Sequence, residues 1–292
     1  MGKDSWRGLA AGLAAASIWG GMYVVSKLVL DVIPPFLLLT TRLLLGILAL
    51  GSVAWFRPRS PMTRPQFWSV FGVGVIGYGI SLGFQFVGTR LSTASNGALV
   101  TSATPAFILL FAAPLLGEKA TGRKLTALLL STAGVLAVID PRTARLSPAM
   151  FWGNLALIAA ALTWALYSVL VRKVVRAGDV VMATAVMLAG GLPSGIALGA
   201  WELGTQEIGP VTAGILGGIL FLGIVATALA MFLWNYAFAE LPAGIASLTF
   251  FAQPVVGTLL GAILLGERIG SLFLLGGSLI GIGLALASTE TA

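Results

Sequence analysis

The sequence predicts an all-α integral membrane protein of ten transmembrane helices, arranged as two inverted five-helix repeats around a central cavity. Three observations predict it. The 292-residue chain is 58% hydrophobic and only 9% charged, whereas a soluble domain devotes about a quarter of its residues to charge. The charges collect in short clusters between long apolar runs, as expected when a charge at mid-bilayer costs at least about 2.5 to 3.5 kcal/mol. Finally, the second half of the chain echoes the first.

Apolar runs of about 17 to 25 residues read as helical spans, and they fall at 7–30, 34–56, 67–89, 92–116, 124–140, 150–171, 180–201, 211–236, 242–266 and 271–288. Barrel strands would instead alternate in segments of about ten residues. The first run holds Ala14, Ala15, Ala16 and Ser17, which imitate a signal-peptidase site, but it continues to Leu30 and is too long for a signal-peptide core. Lys27, one turn before Asp31, is read as snorkelling to the interface or pairing with that residue. The second span buries Arg42, eight residues past Pro34 and thus about 12 Å deep at a rise of about 1.5 Å per residue. This guanidinium needs a partner or water. A functional reading makes it an anchor for a substrate carboxylate; because the span carries none of the other candidate polar groups, a structural role is favoured.

The third and eighth spans are rich in glycine, which lets helices approach closely. The fourth and ninth carry Pro105 and Pro254 mid-helix at equivalent positions, where each would free a backbone carbonyl, and the pair is read as a hinge. Eleven basic residues fall at one set of membrane ends, among them Arg7, Arg64, Lys119, Lys124, Arg172 and Lys173; four fall at the other, Arg90, Arg142, Arg145 and Arg268. By the positive-inside rule both termini are cytoplasmic. No basic face interleaved with aromatics suggests nucleic acid as a partner; membrane lipid and a small-molecule substrate are the partners expected, for a monomer.

The repeat is read from three matches. Residues 13–29, LAAASIWGGMYVVSKLV, resemble 158–174, IAAALTWALYSVLVRKV, with Trp19 opposite Trp164 and Lys27 opposite Arg172. Leu115, Leu116, Gly117, Glu118 and Lys119 answer Leu264, Leu265, Gly266, Glu267 and Arg268, and Pro105 answers Pro254 at the same offset. Phe84, Gln85 and Phe86 match Trp234, Asn235 and Tyr236. The halves are taken as 1–145 and 146–292. An odd number of spans in each inverts the second copy, and its axis then lies in the membrane plane, the geometry of alternating access.

These halves, the Trp in the first helix of each and the LLGEK and LLGER endings resemble the EamA family of the drug/metabolite transporter superfamily, with a look similar to its YddG-type amino-acid exporters. The resemblance implies ten helices, a central cavity and export of small metabolites, often amino acids, across the inner membrane of a bacterium. Drugs or other metabolites are the alternative cargo.

An enzyme needs catalytic groups, and the chain has no His and no Cys. All ten acidic residues lie in tails, loops or span ends, so a hydrolase, a metal centre, a cofactor and a fixed intramembrane proton carrier are not expected. No Walker motif is present. The reading is a facilitator or exchanger, or a proton route through water with no fixed carrier, its rivals being a membrane-embedded enzyme or lipid-handling protein, or a scaffold. Recognition falls to uncharged polar and aromatic groups near mid-span: Trp19 and Tyr23; Tyr78, Ser81 and Gln85; Asn96 and Thr101; Trp164 and Tyr167; Trp234 and Asn235; and Gln253. Buried amides need partners, and indole faces bind apolar groups or ammonium.

Overall fold

The computed structural model describes residues 3–56, 62–92, 100–101, 103–139, 150–175, 179–265 and 271–289. Asn96 lies outside them, and of Tyr23 and Lys27 only the backbone is described. The described residues are helical, with no strand among them. The elements are α1 (Lys3–Leu30), α2 (Pro35–Trp55), α3 (Arg64–Leu91), α4 (Thr104–Leu116), α5 (Gly122–Ile139), α6 (Phe151–Val175), α7 (Val180–Leu203) and α8 (Ala213–Glu240). The next, α9, runs from Ala243–Leu248 through a tight turn at Thr249–Phe251 into Ala252–Leu265, and α10 is Ser271–Ser288. Helices α2, α3, α6, α7 and α8 are long and apolar enough to cross a membrane, and shorter apolar helices lie within α4, α9 and α10. The protein is therefore a multi-pass membrane protein.

Helix ends follow local chemistry. Thr63 and Gln66 cap α3 reciprocally, and the Asp179 side chain accepts from Val181 N at 2.9 Å to start α7. Gly117, at φ 70°, ends α4 in the left-handed region, with Glu118 N donating back to Ala112 O at 3.3 Å. The N-terminus of α2 borrows its cap from α7, where buried Glu202 Oε2 accepts from Phe36 N at 2.7 Å and Leu37 N at 3.1 Å.

Four helices depart from regular α geometry. Wide π turns occupy Val75–Ser81 in α3 and Phe221–Leu229 in α8. The prolines correct the sequence expectation: instead of mid-helix, Pro105 is the second residue of Thr104–Leu116, after a turn at Ala103, and Pro254 is the third residue of Ala252–Leu265, after the tight turn. The reason is that proline lacks an N–H and its ring clashes with the preceding turn, which leaves the first turn as the unstrained place for it.

Packing falls into matched relations. The α5 helix packs on α10 and α2 on α7; α3 packs on α6 as α8 does on α1; α4 packs on α6 as α9 does on α1; and α2 meets α8 as α7 meets α3. The core lies between α1, α2, α3, α6, α7 and α8, while Leu48, Leu110, Leu129 and Leu274 point outward, as suits a lipid-facing surface. At Gly77 a Cβ would run into the Tyr167 ring, so α3 and α6 touch only because that residue has none.

Candidate functional site

A cavity lies between these helices. From the sequence-predicted residues it gathers Trp19, Ser81, Gln85, Thr101, Trp164 and Gln253 into its wall. Met22, Ser26, Arg42, Phe86, Thr89, Thr104, Met231 and Phe250 join them. Toward the Leu30 end it shares Leu30, Phe86 and Thr89 with a second hollow edged by Asp31, Arg90, Gln206 and Glu207, so this end leads to a polar mouth.

The opposite end is closed in layers. Trp19, Trp164 and Trp234, one each from α1, α6 and α8, form a triangle with ring centroids 5.4 to 6.4 Å apart, and Phe250 leans on two of them. Trp19 Nε1 donates to Ala226 O at 3.0 Å. The π turn sends Ala230 N, the usual α-helical donor to that carbonyl, to the Val225 and Thr227 carbonyls instead. Trp234 Nε1 donates to Ser168 Oγ at 3.1 Å.

One turn further along α6, Tyr78, Tyr167 and Asn235 close a fully buried polar ring beneath the tryptophans. Tyr167 Oη donates to Asn235 Oδ1 at 2.6 Å, and Asn235 Nδ2 donates to Tyr78 Oη at 3.3 Å and to Thr184 Oγ1 at 3.0 Å. A phenol has one proton. With that of Tyr167 committed to Asn235, Tyr78 supplies the short Tyr78–Tyr167 bond. Tyr78, Tyr167, Trp234 and Asn235 thus seal the floor; they do not line the open cavity.

The last layer is ionic. Arg172 Nε meets Glu118 Oε1 at 3.2 Å, and Lys124 Nζ stands 3.8 Å from Glu118 Oε2. Arg172 also donates to the Phe238 carbonyl at 3.1 Å and to that of Leu241, while Glu118 accepts from Ala243 N at 2.7 Å and Gly244 N at 3.2 Å. This clamp ties α4 and α6 to the turn between α8 and α9.

Sequence reasoning missed the clamp, because Glu118 reads as a loop residue; Arg42, for which it favoured a structural role over a carboxylate anchor, lies in the cavity wall. The depth of Arg42 was the available signal. Pro105 and Pro254 each follow a residue of the cavity wall, Thr104 and Gln253.

The sequence pattern of the EamA-like transporter family matches residues 6–139 and again 151–289. The chain belongs to the EamA-like transporter family. Among its relatives, an uncharacterized transporter of Archaeoglobus fulgidus is 25% identical over 94% of this chain and 94% of that one. A Salmonella typhimurium protein named "Probable amino-acid metabolite efflux pump" is 27% identical over 93% of this chain and 91% of its own. An Escherichia coli protein of the same name is 24% identical over 93% and 91%. A crystal structure of another protein shares the fold at a TM-score of 0.81, with 24% identity over 97% of this chain and 96% of that one. Membership of the EamA-like family and these relatives point to a transporter of small molecules, not an enzyme.

Proposed function

We propose that the chain is an alternating-access exporter of small metabolites, amino acids including aromatic ones first among them, working as a facilitator or exchanger. The observation that carries this reading is a cavity lined by aromatic and polar side chains that leads to a mouth at one end and is sealed in three layers at the other. Ten spans in two inverted halves are supported by the two family matches and by the paired packing relations. If the basic end carrying Arg172 and Lys173 faces the cytoplasm of a bacterium, the mouth opens outward.

In the transport step, substrate stacks on the Trp19 and Trp164 rings, and its polar groups satisfy Ser26 Oγ, Trp164 Nε1 and Gln253 Oε1. These three atoms are buried without a hydrogen-bond partner in the protein. Rocking of the halves would part the clamp and the tyrosine ring while closing the Leu30 end. None of the described wall residues is a carboxylate, which supports transport down the substrate's own gradient. The apolar wall at Met22, Leu82, Phe86, Met231 and Phe250 favours, as a second reading, export of apolar drugs.

The test is uptake by proteoliposomes of radiolabelled aromatic, aliphatic and charged amino acids, with and without an imposed proton gradient. Saturable uptake that ignores the gradient is expected. Gradient-driven uptake would refute the facilitator reading, and uptake of hydrophobic drugs but of no amino acid would favour the second.

A further inference from the structure

Arg42 sits on α2, two turns past Pro35, in the wall of the cavity and only 4% exposed. Its Nε donates to Thr227 Oγ1 at 3.1 Å and its Nη2 to Met22 Sδ at 3.3 Å, a weak acceptor. Thr227 is itself fixed, since its hydroxyl donates to Leu222 O at 2.7 Å within the π turn of α8. Three of the five guanidinium N–H groups therefore lack a protein acceptor, and among the described residues no carboxylate pairs with Arg42.

Arg172 shows what a structural arginine looks like in the same chain: it is neutralised by Glu118 and tied to backbone carbonyls. Arg42 has no such completion, although an unpaired charge at this depth is costly. The wall around it holds three other unpartnered atoms, the acceptor Gln253 Oε1, the donor Trp164 Nε1 and the hydroxyl of Ser26. A planar fork of N–H groups fits a carboxylate. Arg42 is also the one cation among the described wall residues, so the site balances a single negative charge and not the two of a phosphate ester.

We propose that Arg42 is the anchor for a carboxylate of the transported molecule, so that the cavity selects monocarboxylates, zwitterionic amino acids included, and rejects amines that lack one. The proposal rests on the transporter reading above and assigns its substrate class. For an amino acid, the carboxylate then lies on α2 and the ammonium is left to Gln253 Oε1 and the indole faces.

The probes are three compounds of one skeleton: L-phenylalanine, 3-phenylpropionate and phenethylamine. Thermal shift of the purified protein reads binding, and competition with radiolabelled L-phenylalanine in proteoliposomes reads transport. In the wild type the two carboxylates are expected to stabilise and compete, and the amine to do neither. Arg42→Gln, checked for a monodisperse profile, should bind both carboxylates about tenfold or more weakly, and Arg42→Lys should recover part of that. An amine that competes as well as the amino acid, no binding of either carboxylate, or unchanged affinity in Arg42→Gln would each overturn the anchor. Transport of L-phenylalanine indifferent to Arg42 would sink the anchor and leave the transporter standing. Arg42-dependent binding without transport would keep the anchor and sink the transporter.

Discussion

Tyr167 holds the middle of the hydrogen-bonded ring under the cavity, giving its one proton to Asn235 and taking one from Tyr78. In Tyr167→Phe, Asn235 Oδ1 loses its donor and the Tyr78 hydroxyl its acceptor, both fully buried. The expected loss is about 1–3 kcal/mol of stability. Tyr78→Phe should cost less, because Asn235 Nδ2 still donates to Thr184 and Tyr167 still donates to Asn235. Thermal unfolding of the two purified variants gives the order; the reverse order would contradict the donor assignment. Depth along the apolar runs and the repeat made these residues legible as interior. It did not say which line the cavity and which seal it. That division depends on helix rotation and on partners 51 to 157 positions away in sequence.

At the scale of the element, the interruptions in α3, α4, α8 and α9 surround the cavity. Pro254 supplies no N–H, so the Phe250 carbonyl, at the edge of the tryptophan layer, lacks its helical donor. Pro254→Ala restores that donor and would extend regular helix back toward the turn at Thr249–Phe251. Binding of L-phenylalanine is then expected to be unchanged within about twofold, whereas turnover in proteoliposomes falls several-fold, since the missing helical bond across this turn is what lets the two parts of α9 flex. Equal turnover with equal binding would remove the hinge role. The repeat marked the two prolines as a pair, but hydropathy could not place the breaks, because apolar residues run straight through them. The π turn of α8 is stabilised by donors elsewhere in the fold, such as the Trp19 indole N–H on Ala226 O, and leaves no local signature in sequence.

For the whole molecule, the question is what holds one end shut, and the clamp at Glu118 gives the answer a measurable form. Its carboxylate joins Arg172 of α6 and Lys124 of α5 to the backbone that opens α9, so separating the halves at this end breaks contacts made by one side chain. Glu118→Gln keeps an oxygen for Ala243 N but loses the charge. The side chains are 14% and 15% exposed, so solvent screening moderates the loss to about 1–2 kcal/mol, roughly a tenfold shift in population toward the form open at this end. The native chain has no cysteine, so a single introduced thiol reports alone. Ser168→Cys places one in the fully buried layer between the tryptophans and the clamp. A membrane-impermeant maleimide applied at the Arg172 end is expected to label it several-fold faster in the Glu118→Gln background than without it, and more slowly when applied at the Leu30 end. Equal labelling from both ends would mean that the bundle has loosened generally, and no change at either end would mean that the tyrosine ring and the tryptophans, not the ion pair, set which end is open.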